Sequence, residues 1–224
     1  MYERPKFLKA GDSALIIELG NEINERCNEK VVALAKELKS VEGVLEIVPA
    51  YRSLLVYYDP SIIEFDDLKD KSEERLKRTK ASIAKGKTFE VPVCYGGEFG
   101  PDLGFVARHN GLSDEEVIEI HCSGDYRVYM LGFLPGFPYL GGMDERIAAL
   151  RLEKPRTKIA AGSVGIAGKQ TGIYPVESPG GWRIIGRTPL SLYNPEAEDP
   201  VPIRAGDTIR FKRISEKEFL ERAK

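Results

Sequence analysis

The chain has 224 residues, enough for one large domain or two small ones with packed cores. Thirty-three basic against thirty-five acidic side chains leave a net charge of −2, which argues against a nucleic-acid partner because phosphate binding needs a basic face. No apolar run reaches the roughly 18 residues of a membrane span, and the start, MYERPKFLKAGDSALII, lacks the apolar core of a secretory signal, so a cytoplasmic protein is expected.

In chain order, the apolar run Ala14–Leu19 predicts a strand. From Asn21 to Ser40, the residues Ile23, Cys27, Val31, Leu34, Ala35 and Leu38 share one helical stripe. Strands follow at Val44–Val48 and Ser53–Tyr58, then a charged helix from Asp66 to about Ala84 anchored by Leu68, Leu76 and Ile83. Thr88–Tyr95 returns to strand. Strand, helix, two strands, helix, strand is the order of a ferredoxin-like α+β sandwich. The segment Lys71–Lys87 carries seven basic and two acidic residues and reads as a solvated helix face.

The punctuation changes near Lys85-Gly86-Lys87, which divides the chain into domains 1–87 and 88–224. A short helix is expected over Asp102–His109, stopped by Asn110-Gly111. LSDEEV and ISEKEF each begin a helix: Ser113 with Glu116 and Ser215 with Glu218 have capping-box spacing. Leu112 with Val117 and Ile214 with Phe219 have the spacing of a hydrophobic staple. Between them, residues 132–186 hold eleven of the twenty-two glycines, and short strand-like pieces at Arg127–Met130, Ile184–Ile185, Ser191–Tyr193 and Thr208–Phe211 are separated by turns. That texture predicts a mainly-β barrel or sandwich.

The glycine-rich stretch AGSVGIAGKQTGIYPVESPGGW (161–182) fails the common catalytic patterns. Gly162 precedes Gly168-Lys169 by one residue too many for a phosphate-binding loop, and Gln170 stands where a hydroxyl is required. Neither Ser163 nor Ser178 sits in G-x-S-x-G, and the two histidines, His109 and His121, have no metal-ligand spacing. Cys27, Cys94 and Cys122 are far apart and read as free thiols. Lys and Glu are abundant while Gln170 is the only glutamine, a thermophile-like bias that singles out its position. Two readings of the stretch stand. Its glycines either serve barrel corners or let backbone approach a ligand closely, with Arg156, Lys169 and Gln170 addressing a carboxylate or amide. The apolar run MLGFLPGFPYLGG (130–142) likewise either covers the core or offers a platform to another chain.

The strings YGGEFGPDL (95–103), GLSDEEVIEIH (111–121), YRVYMLGFLPGFPYLGGMD (126–144), KPRTKIAAGSVGIAGKQTGIYPVESPGGWRIIGRTP (154–189) and RAGDTIRF (204–211) resemble the family of KipI and the 5-oxoprolinase B subunit, whose module also occurs as allophanate hydrolase subunit 1 and in urea-carboxylase-type carboxyltransferases. The resemblance implies an α+β N-terminal ferredoxin-like domain followed by a cyclophilin-like β-barrel, with no prolyl isomerase activity implied by that fold. It implies a non-autonomous part of a hydrolase, working with the A and C subunits of 5-oxoprolinase, the latter KipA-like, to open the lactam of 5-oxoproline to glutamate. ATP is used by the complex and not necessarily bound by this chain. No metal site is expected.

On this sequence the pocket implied is Lys154–Thr157 with Gly162–Trp182. Arg156 would hold the substrate carboxylate, Gln170 or Tyr174 the lactam amide, and Ser178 with the Gly180 and Gly181 amides the far wall, beside Lys169. Phe133, Leu134, Phe137, Tyr139, Leu140 and Trp182 would form the pocket rim or the face docked on the C subunit. The family offers two alternatives: a KipI-type inhibitor of a sensor histidine kinase, docking its apolar loop on helices, and subunit 1 of an allophanate hydrolase or related carboxyltransferase.

Overall fold

Leu15 and Ile17 alternate with less buried neighbours, and Ala14–Glu18 accordingly forms a strand that turns these two side chains fully inward. The computed structural model describes residues 1–78 and 86–223. It divides into two units, Met1–Lys85 and Gly86–Lys224.

The first unit contains β1 (Lys6–Lys9), β2 (Ala14–Glu18), α1 (Glu25–Leu38), β3 (Val44–Pro49), β4 (Ser53–Tyr58) and α2 (Phe65–Arg78). Its sheet runs β1-β2-β4-β3, antiparallel throughout. The Asn24 side chain caps α1 by accepting from the Cys27 amide at 2.9 Å, so the helix starts after Ile23, which is left exposed. The stripe Cys27, Val31, Leu34, Ala35 and Leu38 packs on Leu15, Ile17, Leu54 and Val56. On α2, Leu68 is the buried anchor and Leu76 is partly buried. The expected continuation to Ala84, with Ile83 and much of the basic run, lies outside the described residues.

One element is reassigned. The strand at Thr88–Tyr95 does not join this sheet, whose fourth strand is β1. Periodicity does not reveal β1, because KFLK is short, charged and largely exposed.

The second unit runs β5 (Thr88–Tyr95), α3 (Leu103–Asn110), α4 (Asp114–Ser123), β6 (Tyr126–Leu131), β7 (Pro138–Gly141), β8 (Arg156–Ile159), β9 (Ser163–Ala167), β10 (Gln170–Ile173), β11 (Ser178–Gly180), β12 (Arg183–Arg187), β13 (Thr208–Arg213) and α5 (Glu216–Arg222). Seven strands close a barrel in the order β10-β7-β6-β13-β5-β12-β9. Its pairs are antiparallel except β5 with β13. β8 and β11 form a separate two-stranded ribbon.

The caps behave as their spacing predicts. Both capping boxes form, and Gly111 ends α3 in the left-handed region at φ 68°, donating to the Ala107 and Arg108 carbonyls. Such caps contribute about 1 kcal/mol each. Ser191–Tyr193 is not a strand: it follows Pro189, and the Ser191 hydroxyl folds back on the Tyr193 carbonyl at 3.0 Å, while Leu192 plugs the barrel core. Among the described residues no helix is long and apolar enough to cross a membrane.

Candidate functional site

The barrel has a core inside and a second apolar layer outside. Thr171 and Ile173 are fully buried, and Ile173 belongs to the barrel core. Gly172 between them faces the other way. It pairs in register with Gly165 of β9. A Cβ on Gly172 would lie 3.0 Å from Trp182 and 3.1 Å from Phe137, and one on Gly165 would lie 3.1 Å from the Trp182 Cβ. The paired glycines thus leave a bare strip of sheet against which the rings rest. Phe137, Tyr174 and Trp182 are buried there with Ile159, and Tyr139 and Leu134 pack alongside. Ring centroids lie 5.2 Å apart for Phe137–Tyr174 and 5.4 Å for Phe137–Trp182, both edge-on. Gly180 closes one side: a Cβ there would lie 2.4 Å from the Tyr174 hydroxyl oxygen.

Two groups in this layer depart from ordinary packing. Phe133 has φ 64°, the only non-glycine residue with positive φ among the described residues, and its ring is 63% exposed. A bulky side chain held in the left-handed region costs about 1–2 kcal/mol. That ring stands edge-on over Phe137 at 5.6 Å and Tyr174 at 6.5 Å. Ser178, two residues before Gly180, carries the one buried side-chain polar atom among the described residues with no hydrogen-bond partner. Burial pushes the Tyr174 phenol above its ordinary pKa, opposed by a hydrogen bond with the Trp182 backbone and by the charges of Arg151 and Arg156.

The structure redistributes the residues that the sequence nominates. Arg156 spends its fork on Asp102: Nη1 donates to Oδ2 at 2.8 Å and Nη2 to Oδ1 at 2.9 Å. The Asp102 carboxylate, 8% exposed, also accepts from the Ile184 amide at 2.7 Å. This clamp ties the β8–β11 ribbon to β12 and the start of α3, so a free guanidinium for substrate is not what Arg156 offers. Lys169 sits at the tip of the β9–β10 hairpin, exposed and paired with Glu145 at 2.7 Å. Gln170 is two residues from Gly172 on the same strand and therefore on its aromatic-facing side. Leu140 is a correction to the expected rim: it is fully buried in the barrel core, opposite Val128 and Thr171. Phe137 and Trp182 form floor rather than rim, which leaves Phe133 as the exposed member of that group.

The glycine-rich stretch does not fit a nucleotide phosphate. Gly168 bridges Ala149 through both backbone groups, and the strand β10 follows the turn with no helix to aim amides at an anion. No group of three or more metal-binding side chains occurs among the described residues.

Inside the barrel, pattern reading missed a polar chain. His121 Nδ1 lies 2.7 Å from the Tyr95 hydroxyl and Nε2 lies 2.9 Å from the Thr171 hydroxyl, which donates to the Gly165 carbonyl at 3.1 Å. Tyr126 donates to the His121 carbonyl at 2.8 Å. Full burial pushes the His121 pKa down to about 3, so the imidazole is neutral. A cavity of about 460 Å³ opens elsewhere, lined by Tyr95, Gly97, Phe99, Arg213 and three glutamates, Glu98, Glu216 and Glu218. Its carboxylates repel an anionic ligand, however, and Glu218 already caps α5 while Arg213 pairs with Glu115. Strain, an orphaned hydroxyl and nearby cations favour the aromatic layer as the site.

Residues 5–203 match the family described as carboxyltransferase domain, subdomain C and D, and that is the class to which this barrel and its outer layer correspond. The chain is 50% identical to the 5-oxoprolinase B subunit of Bacillus subtilis (strain 168), over 98% of this chain and 97% of that protein. It is 57% identical to the conserved protein PH0987 of Pyrococcus horikoshii in its crystal structure, over 96% of this chain and 100% of that one, with a TM-score of 0.59. The crystal structure of TTHA0988 matches with a TM-score of 0.80 at 37% identity, over 90% of this chain and 40% of that one. The chain belongs to the family of KipI and the 5-oxoprolinase B subunit.

Proposed function

We propose that this chain is the B subunit of an ATP-dependent 5-oxoprolinase, a lactam hydrolase, and that it is inactive without the A subunit or its KipA-like C partner. The observation that carries this reading is the near full-length identity to a 5-oxoprolinase B subunit. The aromatic layer supports it chemically. A flat lactam ring suits the edges of Phe137, Tyr174 and Trp182, and Gln170, Ser178 and the Gly180 and Gly181 amides supply hydrogen-bonding partners for a lactam amide. A lactam is resonance-stabilised, so transfer of a phosphoryl group from ATP to its oxygen would ready the carbon for water. ATP is used by the complex and not necessarily bound by this chain: the Gly168 turn is closed by Ala149 and is followed by a strand rather than a helix. Phe133 and Leu134 form the rim that meets the C subunit.

The chain is read as two domains, 1–87 and 88–224, which the division after Lys85 supports. The first is ferredoxin-like, with β1 taking the edge beside β2 that a C-terminal strand usually holds. The second is cyclophilin-like. The free thiols of Cys27, Cys94 and Cys122 suit a reducing, cytoplasmic setting. The carboxyltransferase name of the matched family favours allophanate-type chemistry as the second reading.

The test is 5-oxoproline-dependent ATP hydrolysis by the purified A and C subunits with and without this chain. Turnover that requires the chain is expected. A stable complex that turns over allophanate and ignores 5-oxoproline would replace this reading with the second, and failure to assemble would favour kinase inhibition.

A further inference from the structure

The clamp on Arg156 raises the question of what meets the carboxylate of an acidic substrate at the aromatic layer. Several cations on the surrounding segments are held by carboxylates or carbonyls, whereas neither Lys154 nor Arg151 has a carboxylate partner among the described residues. Arg156 is held by Asp102, Lys158 by Glu177 at 2.8 Å, Lys169 by Glu145 and Arg146 by Asp144 at 2.7 Å. Arg183 donates to the Leu150 carbonyl, lies 3.9 Å from Asp102 and stacks on Phe105 at 3.6 Å. Arg151 differs. It is exposed, it has no carboxylate partner among the described residues, and its guanidinium carbon lies 5.8 Å from the centroid of the Trp182 ring. Its charge is felt at both the Tyr139 and the Tyr174 phenols, which border the same floor.

An arginine parked over an indole keeps its planar fork undistorted and leaves its N–H donors facing outward. That is a loaded position. The ring fixes the guanidinium without neutralising it, so an incoming carboxylate meets a charge-assisted bidentate donor whose order is already established. The ring edges of the aromatic layer meet a small ring, and the rim cation takes an acidic group attached to that ring.

We propose that Arg151 is the carboxylate-binding, specificity-determining residue of this site, selecting a small ring acid over its uncharged analogue. This deepens the reading of the aromatic layer as the substrate site and rests on it. The residue is exposed and lies next to Leu150, itself 74% exposed, so its replacement alters its contact over the Trp182 ring and leaves the packing beneath that ring in place.

The test uses the fact that Trp182 is the only tryptophan of the chain. The full chain is titrated with 5-oxoproline and with its neutral amide, following Trp182 fluorescence, for the wild type, Arg151→Lys and Arg151→Gln. The wild type should bind the acid at least about tenfold more tightly than the amide, as loss of a charge-assisted contact implies. Arg151→Gln should abolish that preference and leave amide binding within about twofold, and Arg151→Lys should keep part of it because a point charge replaces the fork. Acid preference retained in Arg151→Gln, or no saturable signal with either ligand, overturns the proposal. Failure of the oxoprolinase reading is seen separately, as a reconstituted complex that does not hydrolyse 5-oxoproline while the chain still discriminates acid from amide.

Discussion

The two faces of the β9–β10 hairpin treat polar groups in opposite ways. Inward, Thr171 meets His121, His121 meets Tyr95, and each buried donor or acceptor has a partner. Outward, one position along the strand, Gly172 faces a layer holding a strained Phe133 and, among the described residues, a Ser178 hydroxyl without a partner and an arginine without a carboxylate. The same strand therefore closes a finished core on one side and carries an unfinished surface on the other. Natural sequences tolerate such local conflict where a ligand or partner completes the arrangement. The open cavity beside Tyr95 is instead lined by Glu98, Glu216 and Glu218, of which Glu218 caps α5.

The contrast can be broken by acid on the inner side. His121 has an ordinary pKa of 6.5 and a folded value of about 3, so between those limits the unfolded chain binds a proton that the folded chain refuses. Stability contributed by the neutral imidazole is complete above pH 6.5 and is lost as pH falls, by up to about 1.4 kcal/mol for each unit. Urea unfolding between pH 7 and 4 should show this slope in the wild type and a flatter one in His121→Gln, which keeps hydrogen bonding without titrating. Equal slopes would mean that His121 does not sit in a dry, finished core.

The next largest effect belongs to the clamp. Asp102→Ala strands the Ile184 amide and releases Arg156, which should lower stability by about 2–3 kcal/mol, discounted because the arginine is a third exposed. Denaturation midpoints of the chain read this directly. Arg156→Ala should lose stability too. If it left the midpoint unchanged but weakened ligand binding, the guanidinium would be a ligand contact after all.

Phe133→Gly relieves a positive φ worth about 1 kcal/mol and removes a ring that is mostly in solvent. The melting temperature should hold or rise while turnover of the assembled complex falls. A lower melting temperature would make Phe133 an ordinary packing residue.

The smallest effect is expected from Ser178→Ala. Deleting an unsatisfied buried hydroxyl should be neutral or stabilise by up to about 1 kcal/mol, with KM of the complex raised and kcat nearly kept. Destabilisation would show that the hydroxyl is satisfied in solution and the outer face is less unfinished than it looks.

What could be read from sequence follows the range of the interactions involved. The boxes at Ser113 and Ser215 and the stop at Gly111 are contained within a few residues and are legible. β1 is not, because an exposed edge strand of four residues has no apolar period. The crowding of glycine over 132–186 is visible, but its purpose is not: Gly165 and Gly172 matter because they pair across a hairpin beneath Trp182 and Phe137, a fact of register. Arg156 is a sensible choice for a carboxylate until Asp102, 54 residues earlier, is found in its fork. Arg151 carries no local signal at all. It stands out only once its guanidinium is seen over the Trp182 ring.

Hydrogen exchange of the assembled complex, with and without 5-oxoproline, would test this account most directly. The account predicts new protection in residues 131–139 and 174–182, with the amides around Tyr95, His121 and Thr171 unchanged because they are already shut. Protection confined to residues 94–99 and 213–218, at the glutamate-lined cavity, would contradict it.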